Sequence, residues 1–216
     1  MRTKYPHTKH FTWSPGLQND DRVIEINKLE GRNIVVTEKL DGENTTMARD
    51  YIHARSCSDM APHISRSWVQ ALHGSIKHDI PDGWRICGEN VYAKHSIHYT
   101  REKGNALRSY FQVFGIWDGD LCLSWDETQQ YVDVLGLVTV PVLSIRPYDL
   151  LLLEEIGRVV EKSKDCIEGY VARISDDFYS EEYKFVTAKY VRANHIQTTT
   201  EHWLEQPMVK NELCYV

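Results

Sequence analysis

The chain has 216 residues, 42% hydrophobic and 26% charged, which is enough for one sizeable core. No apolar run approaches the roughly 20 residues that span a bilayer, and the polar segment 1–10 lacks the apolar stretch of a secretory signal, so a cytoplasmic protein with no membrane partner is expected. Twenty-five Lys and Arg against 31 Asp and Glu leave a net charge of −6, the wrong sign for a protein that coats nucleic acid, though not for an enzyme with a basic groove on one face.

Residues 1–30 read as irregular, with turn signals at Ser14-Pro15-Gly16 and an acidic pair at Asp20-Asp21. Residues 33–38 (NIVVTE) read as a strand ending at the Asp41-Gly42 turn, and 44–48 and 51–55 as two more strands about a tight turn. Residues 65–78 have helical spacing, with Trp68, Val69, Leu72 and Ile76 on one face. Residues 84–92 and 110–117 are aromatic strands separated by a polar stretch, whose segment 94–103 is expected to be a mobile loop touching nucleic acid through Arg101 and Lys103. Asp118-Gly119 predicts a hairpin turn, which explains Asp118 and Asp120 better than a metal site does. Helices are predicted over 126–135 and 149–162, and strands over 169–174 and 183–190. Five widely spaced cysteines without a CxxC pair indicate neither zinc nor a disulfide framework. Helices inserted between hairpins, without βαβ alternation, predict an α+β fold of largely antiparallel sheets in a single domain over 1–216.

The chemistry begins at Glu38-Lys39-Leu40-Asp41-Gly42-Glu43-Asn44, where a lysine ends a strand before a turn, an arrangement that holds an amine at the lip of a pocket. An amine is a nucleophile only when neutral, so a pKa depressed by burial, cations or metal is expected for Lys39, with reaction speeding up as pH rises. In order downstream come His53-Ala54-Arg55-Ser56, Gly88-Glu89-Asn90, the FQVFGIWD run of 111–118, Glu168-Gly169-Tyr170-Val171 and the KFVTAK run of 184–189. This ordered series resembles the motifs of the covalent nucleotidyltransferases, namely DNA ligases, RNA ligases and mRNA capping enzymes. Asn44, Lys4-Tyr5-Pro6 and Trp13-Ser14-Pro15-Gly16 bring it closest to the RNA ligase 2 group, and the resemblance runs from about residue 4 to about residue 203.

The resemblance implies a nucleotidyltransferase fold with flanking helices around an ATP cleft. The implied enzyme is an ATP-dependent RNA ligase that uses Mg²⁺ or Mn²⁺. Lys39 takes AMP from ATP and passes it to a 5′-phosphate, which a 3′-hydroxyl then attacks, on RNA or RNA/DNA hybrid ends in a bacterial or phage-infected cell. Arg55 then forks onto a phosphate, Glu89 accepts from ribose hydroxyls, and Glu168 binds the divalent metal. Glu38 and Asn44 flank the nucleotide, and Lys189, Arg192 and Lys184 contact phosphate. Phe114 stacks on adenine; regular alternation would put it on one strand face with Ile116, opposite Val113, Gly115 and Trp117. The sequence departs from the family in two places. Gly115 stands where an acidic residue is usual, and Lys184 and Lys189 are five apart where two lysines usually flank one residue. Segment 195–216 is expected to pack back as a tail, with no separate OB-fold domain. A DNA ligase or capping-type guanylyltransferase of the same fold, or a non-catalytic nucleotide- or RNA-binding module, remain alternatives.

Overall fold

A computed structural model describes residues 2–16, 28–57, 63–163, 166–193, 195 and 208–214. In chain order the elements are β1 (Lys9–His10), β2 (Asn33–Lys39), β3 (Glu43–Met47), β4 (Ile52–Ala54), α1 (Ile64–Ile76), β5 (Trp84–Asn90), β6 (Phe111–Asp118) and β7 (Leu121–Cys122). These are followed by α2 (Trp125–Val134), β8 (Val138–Thr139), β9 (Val142–Pro147), α3 (Leu150–Lys162), β10 (Gly169–Ile174), β11 (Phe178–Tyr179), α4 (Tyr183–Val186) and β12 (Thr187–Val191). The helices start where side chains satisfy their first amides. His63 Nδ1 accepts from the Ser65 amide, Asp149 from those of Leu151 and Leu152, and Ser124 and Glu127 form a capping box.

The fold is α+β. One sheet runs β1-β12-β10-β2-β9, antiparallel except for the β1/β12 pair. The second runs β11-β7-β6-β5-β3-β4, with β8 added parallel to β6. Ile34, Val36, Tyr170 and Ala172 of the first sheet pack with Trp117 and Cys122 of the second and with Leu153 and Val160 of α3. Met47, Ile86, Val113 and Ile116 of the second sheet pack on Val69 and Ile76 of α1 and Val132 of α2. The fully buried Val, Leu, Ile and Met side chains among these each contribute about 1.5–3 kcal/mol of transfer free energy, so these layers hold the two sheets in fixed relation. No described helix is long and apolar enough to cross a membrane.

Four expectations need correction. Residues 183–190 are not one strand: Tyr183 and Val186, three apart, bury together on α4, and extended pairing starts at Thr187. The alternation expected along β6 fails because a bulge opposite Cys87/Gly88 skips Phe114. The extra residue reverses parity, so Phe111, Val113 and Ile116 share one core while Phe114 packs with the cluster holding Trp117. Segment 94–103 is not loose. The amides of Ser96 and Ile97 donate to Asp41 Oδ2, the Lys94 amide donates to the Val209 carbonyl, and Arg101 pairs with Glu212. Finally, the sequence reading gave no strand for β1, β8, β9 or β11. Three of these have only two residues, and the solvent-facing β9 carries Val142, Leu143 and Ile145 exposed, so neither kind shows alternation. Residues 208–214 pack on the body through Asn211, which is buried and bonded to Tyr99, Val91 and Ala93. Asp20, Asp21, Trp203 and Pro207 lie outside the described residues.

Candidate active site

Register places the central pair. In the β2/β10 ladder Gly169 lies opposite Lys39, so Glu168, one residue earlier, meets the end of β2. Lys39 Nζ is 2.7 Å from Glu168 Oε1, with the lysine side chain 21% exposed and the glutamate 1%. Glycine at 169 is required by close approach: a Cβ there would lie 1.9 Å from the Tyr190 carbonyl oxygen. The Arg192 amide and Nε hold the carbonyls of Glu168 and Ile167, at 3.0 Å each. The glutamate is therefore fixed by backbone contacts on both sides of β10.

The turn after Lys39 is fixed as firmly. The Asp41 amide donates to the Tyr99 hydroxyl at 2.8 Å, and Asp41 Oδ2 accepts from two amides at 2.7 and 2.6 Å. A Cβ at Gly42 would meet the Asn90 carbonyl oxygen at 2.5 Å, so glycine lets β3 start against the end of β5. Pairing then sets Asn44 opposite Glu89. Asn44 Oδ1 is buried with no hydrogen-bond partner among the described residues. Glu43 is held by a bidentate bridge from Arg66 of α1.

These groups open onto a cleft of about 1190 Å³ between the sheets, somewhat above the roughly 300–1,000 Å³ usual for ligand sites. Lys39, Glu38, Asn44, Arg55, Glu89, Phe114 and Lys189 all line it. Phe114 is there because of the bulge, with the Tyr5 ring edge-on at 5.0 Å. Glu168 lies behind Lys39 and is not itself among the lining residues. Lys184 and Arg192 are not among them either. Lys184 points outward from α4 over Phe185, and Arg192 is engaged with backbone carbonyls, so of the cations expected in the last motif only Lys189 lines the cleft.

The electrostatics overturn the expected depression of the Lys39 pKa. Burial pulls it down, but the charges of Glu168 and Glu89, the hydrogen bond to Glu168 and the charge of Asp41 together outweigh burial and raise it. Burial, reinforced by Glu168 and Asp41 against the opposing pull of Lys39, pushes Glu89 up to about 8; burial alone takes Glu38 to about 7. Burial lowers His95, against the pull of Asp41, Glu43 and Glu168.

Sequence reasoning missed several cleft residues. Asp41 was read only as a turn former, His95 only as half of a His95–His98 spacing with no third metal ligand nearby, and His10, Trp125, Arg173 and His195 were not singled out. His195 Nε2 lies 3.5 Å from Glu168 Oε1 and 3.8 Å from Asp41 Oδ1. No local spacing announces it, because its neighbours in space come from positions 41 and 168.

The family model for RNA ligase matches residues 32–191. A search of curated proteins found no match. Among solved structures, an archaeal ATP-dependent RNA ligase aligns with a TM-score of 0.58 at 16% identity, over 88% of this chain and 48% of its own. A Naegleria gruberi RNA ligase variant with ATP and Mn aligns at 0.58 and 18%, covering 88% and 56%. A putative ATP-dependent DNA ligase from Aquifex aeolicus aligns at 0.57 and 18%, covering 88% and 50%. The chain spans about half the length of these proteins and shares their nucleotidyltransferase fold.

Proposed function

The chain belongs to the RNA ligase family, and from that premise we propose that it is an ATP-dependent RNA ligase sealing 3′-hydroxyl and 5′-phosphate ends through a Lys39–AMP intermediate. The observation that carries this reading is a partly buried amine, Lys39, at the edge of a nucleotide-sized cleft and held at 2.7 Å by Glu168. In the first step Lys39 Nζ, having lost its proton, attacks the α-phosphorus of ATP, and the bond to pyrophosphate breaks. A 5′-phosphate oxygen then attacks the same phosphorus and the lysine leaves. Last, a 3′-hydroxyl attacks the 5′-phosphorus and AMP leaves. Each step is an in-line displacement, so the protein contributes position and charge.

Within this reading Arg55 and Lys189, cations on the cleft wall, meet the phosphates. Phe114 lies under the adenine. Glu89, Asn44 and Glu38 supply polar partners to the nucleoside. Glu89 and Glu38 keep protons into the neutral range and so can donate as well as accept. Lys184 and Arg192, set away from the cleft, have no part in it. The carboxylates beside Lys39 are oxygen donors of the kind that take Mg²⁺ or Mn²⁺, with Glu168 the foremost of them. Such a cation, when bound, would neutralise the charges that hold the lysine proton and screen the phosphate oxygens. We place the reaction on RNA or RNA/DNA hybrid ends in the cytoplasm of a bacterial or phage-infected cell.

The test is incubation of the protein with ATP and Mg²⁺, followed by intact mass and peptide mapping. One AMP on Lys39, absent in Lys39→Ala, is expected. A wild type that stays unmodified, or AMP on another residue, refutes the mechanism. Nicked RNA against nicked DNA separates an RNA ligase from the DNA-ligase alternative, and α-labelled GTP in place of ATP separates a capping-type enzyme.

A further inference from the structure

We propose that His195 is a direct ligand of a divalent cation of the first transition series, held together with Asp41 and Glu168 beside Lys39. The assignment rests on the ligase reading for the use of the cation, and on geometry alone for its place. One donor atom from each of the three residues lies within 4.8 Å of the other two, and all three residues are buried. The 3.5 and 3.8 Å separations from His195 Nε2 to the two carboxylates are too long for hydrogen bonds from an imidazolium, which would sit near 2.8 Å. They suit two ligands of one ion. With bonds of about 2.1 Å, neighbouring ligand atoms lie about 3.0 Å apart at right angles and about 3.4 Å apart in a tetrahedron. A contraction of a few tenths of an ångström brings His195 Nε2 to the tetrahedral spacing from both carboxylates.

A second observation points the same way. The His195 side chain is 1% exposed, yet neither ring nitrogen has a hydrogen-bond partner among the described residues. A buried imidazole without a partner costs free energy, and a bound cation removes that cost. Asp41 is prepared for the task, because the two amides that fix Oδ2 leave Oδ1 directed toward His195. Asp41 and His195 both line the cleft, so the site opens on the space assigned to the nucleotide. One nitrogen and two oxygens favour ions softer than Mg²⁺, which prefers oxygen alone. Mn²⁺ is the paramagnetic probe of this class.

The experiment titrates nucleotide-free protein with Mn²⁺ and follows loss of the free-ion electron paramagnetic resonance signal in wild type, His195→Ala and His195→Gln. Saturable binding in wild type and at least ten-fold weaker binding in both variants are expected. Electron spin-echo modulation of Mn²⁺ on wild type selectively labelled with ¹⁵N-histidine gives a readout that needs no variant to fold, and coupling to a histidine nitrogen is expected. Absence of that coupling, or variants that fold and bind Mn²⁺ as wild type does, overturns the assignment. The mass of the AMP adduct, measured in parallel, keeps the two readings apart. Histidine-coupled Mn²⁺ with no adduct in any metal sinks the ligase and leaves the ligand. An adduct with no histidine coupling does the reverse.

Discussion

Breaking the Lys39–Glu168 pair should affect both stability and lysine reactivity. At 2.7 Å and an effective dielectric constant of about 20 the attraction is about 6 kcal/mol. Desolvation of both groups takes back a large part of that, and removing one partner of a buried pair typically costs about 3–5 kcal/mol. Glu168→Gln and Lys39→Met should therefore each lower the melting temperature by roughly 10 °C, since about 1 kcal/mol moves a domain of this size by about 2–4 °C. The double variant should fall short of the sum by about 2 kcal/mol, because the second change removes a group already left without its counter-charge. Reactivity follows from the same charges. With Glu168 neutral the strongest influence raising the Lys39 pKa is gone, so an acylating reagent at pH 8, with chelator present, should label Lys39 faster in Glu168→Gln than in wild type. Additive stabilities within about 0.5 kcal/mol, or slower labelling, would refute the reasoning.

Other outcomes follow from single observations. Gly169→Ala should cost about 3 kcal/mol or more in urea unfolding, because the new methyl meets a carbonyl oxygen of β12 at 1.9 Å and one strand must move; an unchanged midpoint would contradict that approach. Glu89 and Glu38 hold their protons up to about 8 and about 7, against an ordinary 4.5 in the unfolded chain. The folded state therefore binds more protons than the unfolded state between those limits. Their contribution is fully present below about pH 4.5 and is lost as pH rises toward 8. Glu89→Gln should then melt higher than wild type at pH 9 but not at pH 4; equal differences at both would refute the assignment. Phe114→Ala should weaken ATP binding by about 1–3 kcal/mol if its ring carries the base, and calorimetry showing unchanged affinity would confine Phe114 to packing.

Much of the fold was readable because long elements carry their own pattern. The α1 face of Val69 and Ile76, the Asp149 cap of α3 and the Asp118-Gly119 turn of the β6–β7 hairpin are local signals, and the structure places those elements within a few residues of where they were read. What failed depended on distant chain. β1 is a strand only because β12 lies beside it. Phe114 faces Trp117's cluster only because β6 bulges against Gly88, and no count along residues 111–118 contains that partner. α4 reads as a strand because its aromatic residues, Tyr183 and Phe185, stand two apart, yet its burial follows a spacing of three, set by the floor of aromatic rings formed by Tyr5, Trp117 and Phe178.

The site divides along the same line, and the division explains why a motif can mark a lysine yet mislead about its chemistry. Lys39, Asp41 and Gly42 are adjacent in sequence because a strand end and a turn must be contiguous to present an amine. Glu168 is legible because Gly169, which lets it stand opposite Lys39, is adjacent to it. The ionisation of that amine is a sum over space, in which Glu89 and Glu168 arrive from other strands and reverse the effect of burial. Burial alone, the part a sequence hints at, lowers the lysine pKa; the assembled carboxylates raise it. His195 follows from the same geometry: three acidic side chains gathered around one ammonium make a place where a cation is favoured, and a buried imidazole facing two of them adds the nitrogen that would select which cation enters.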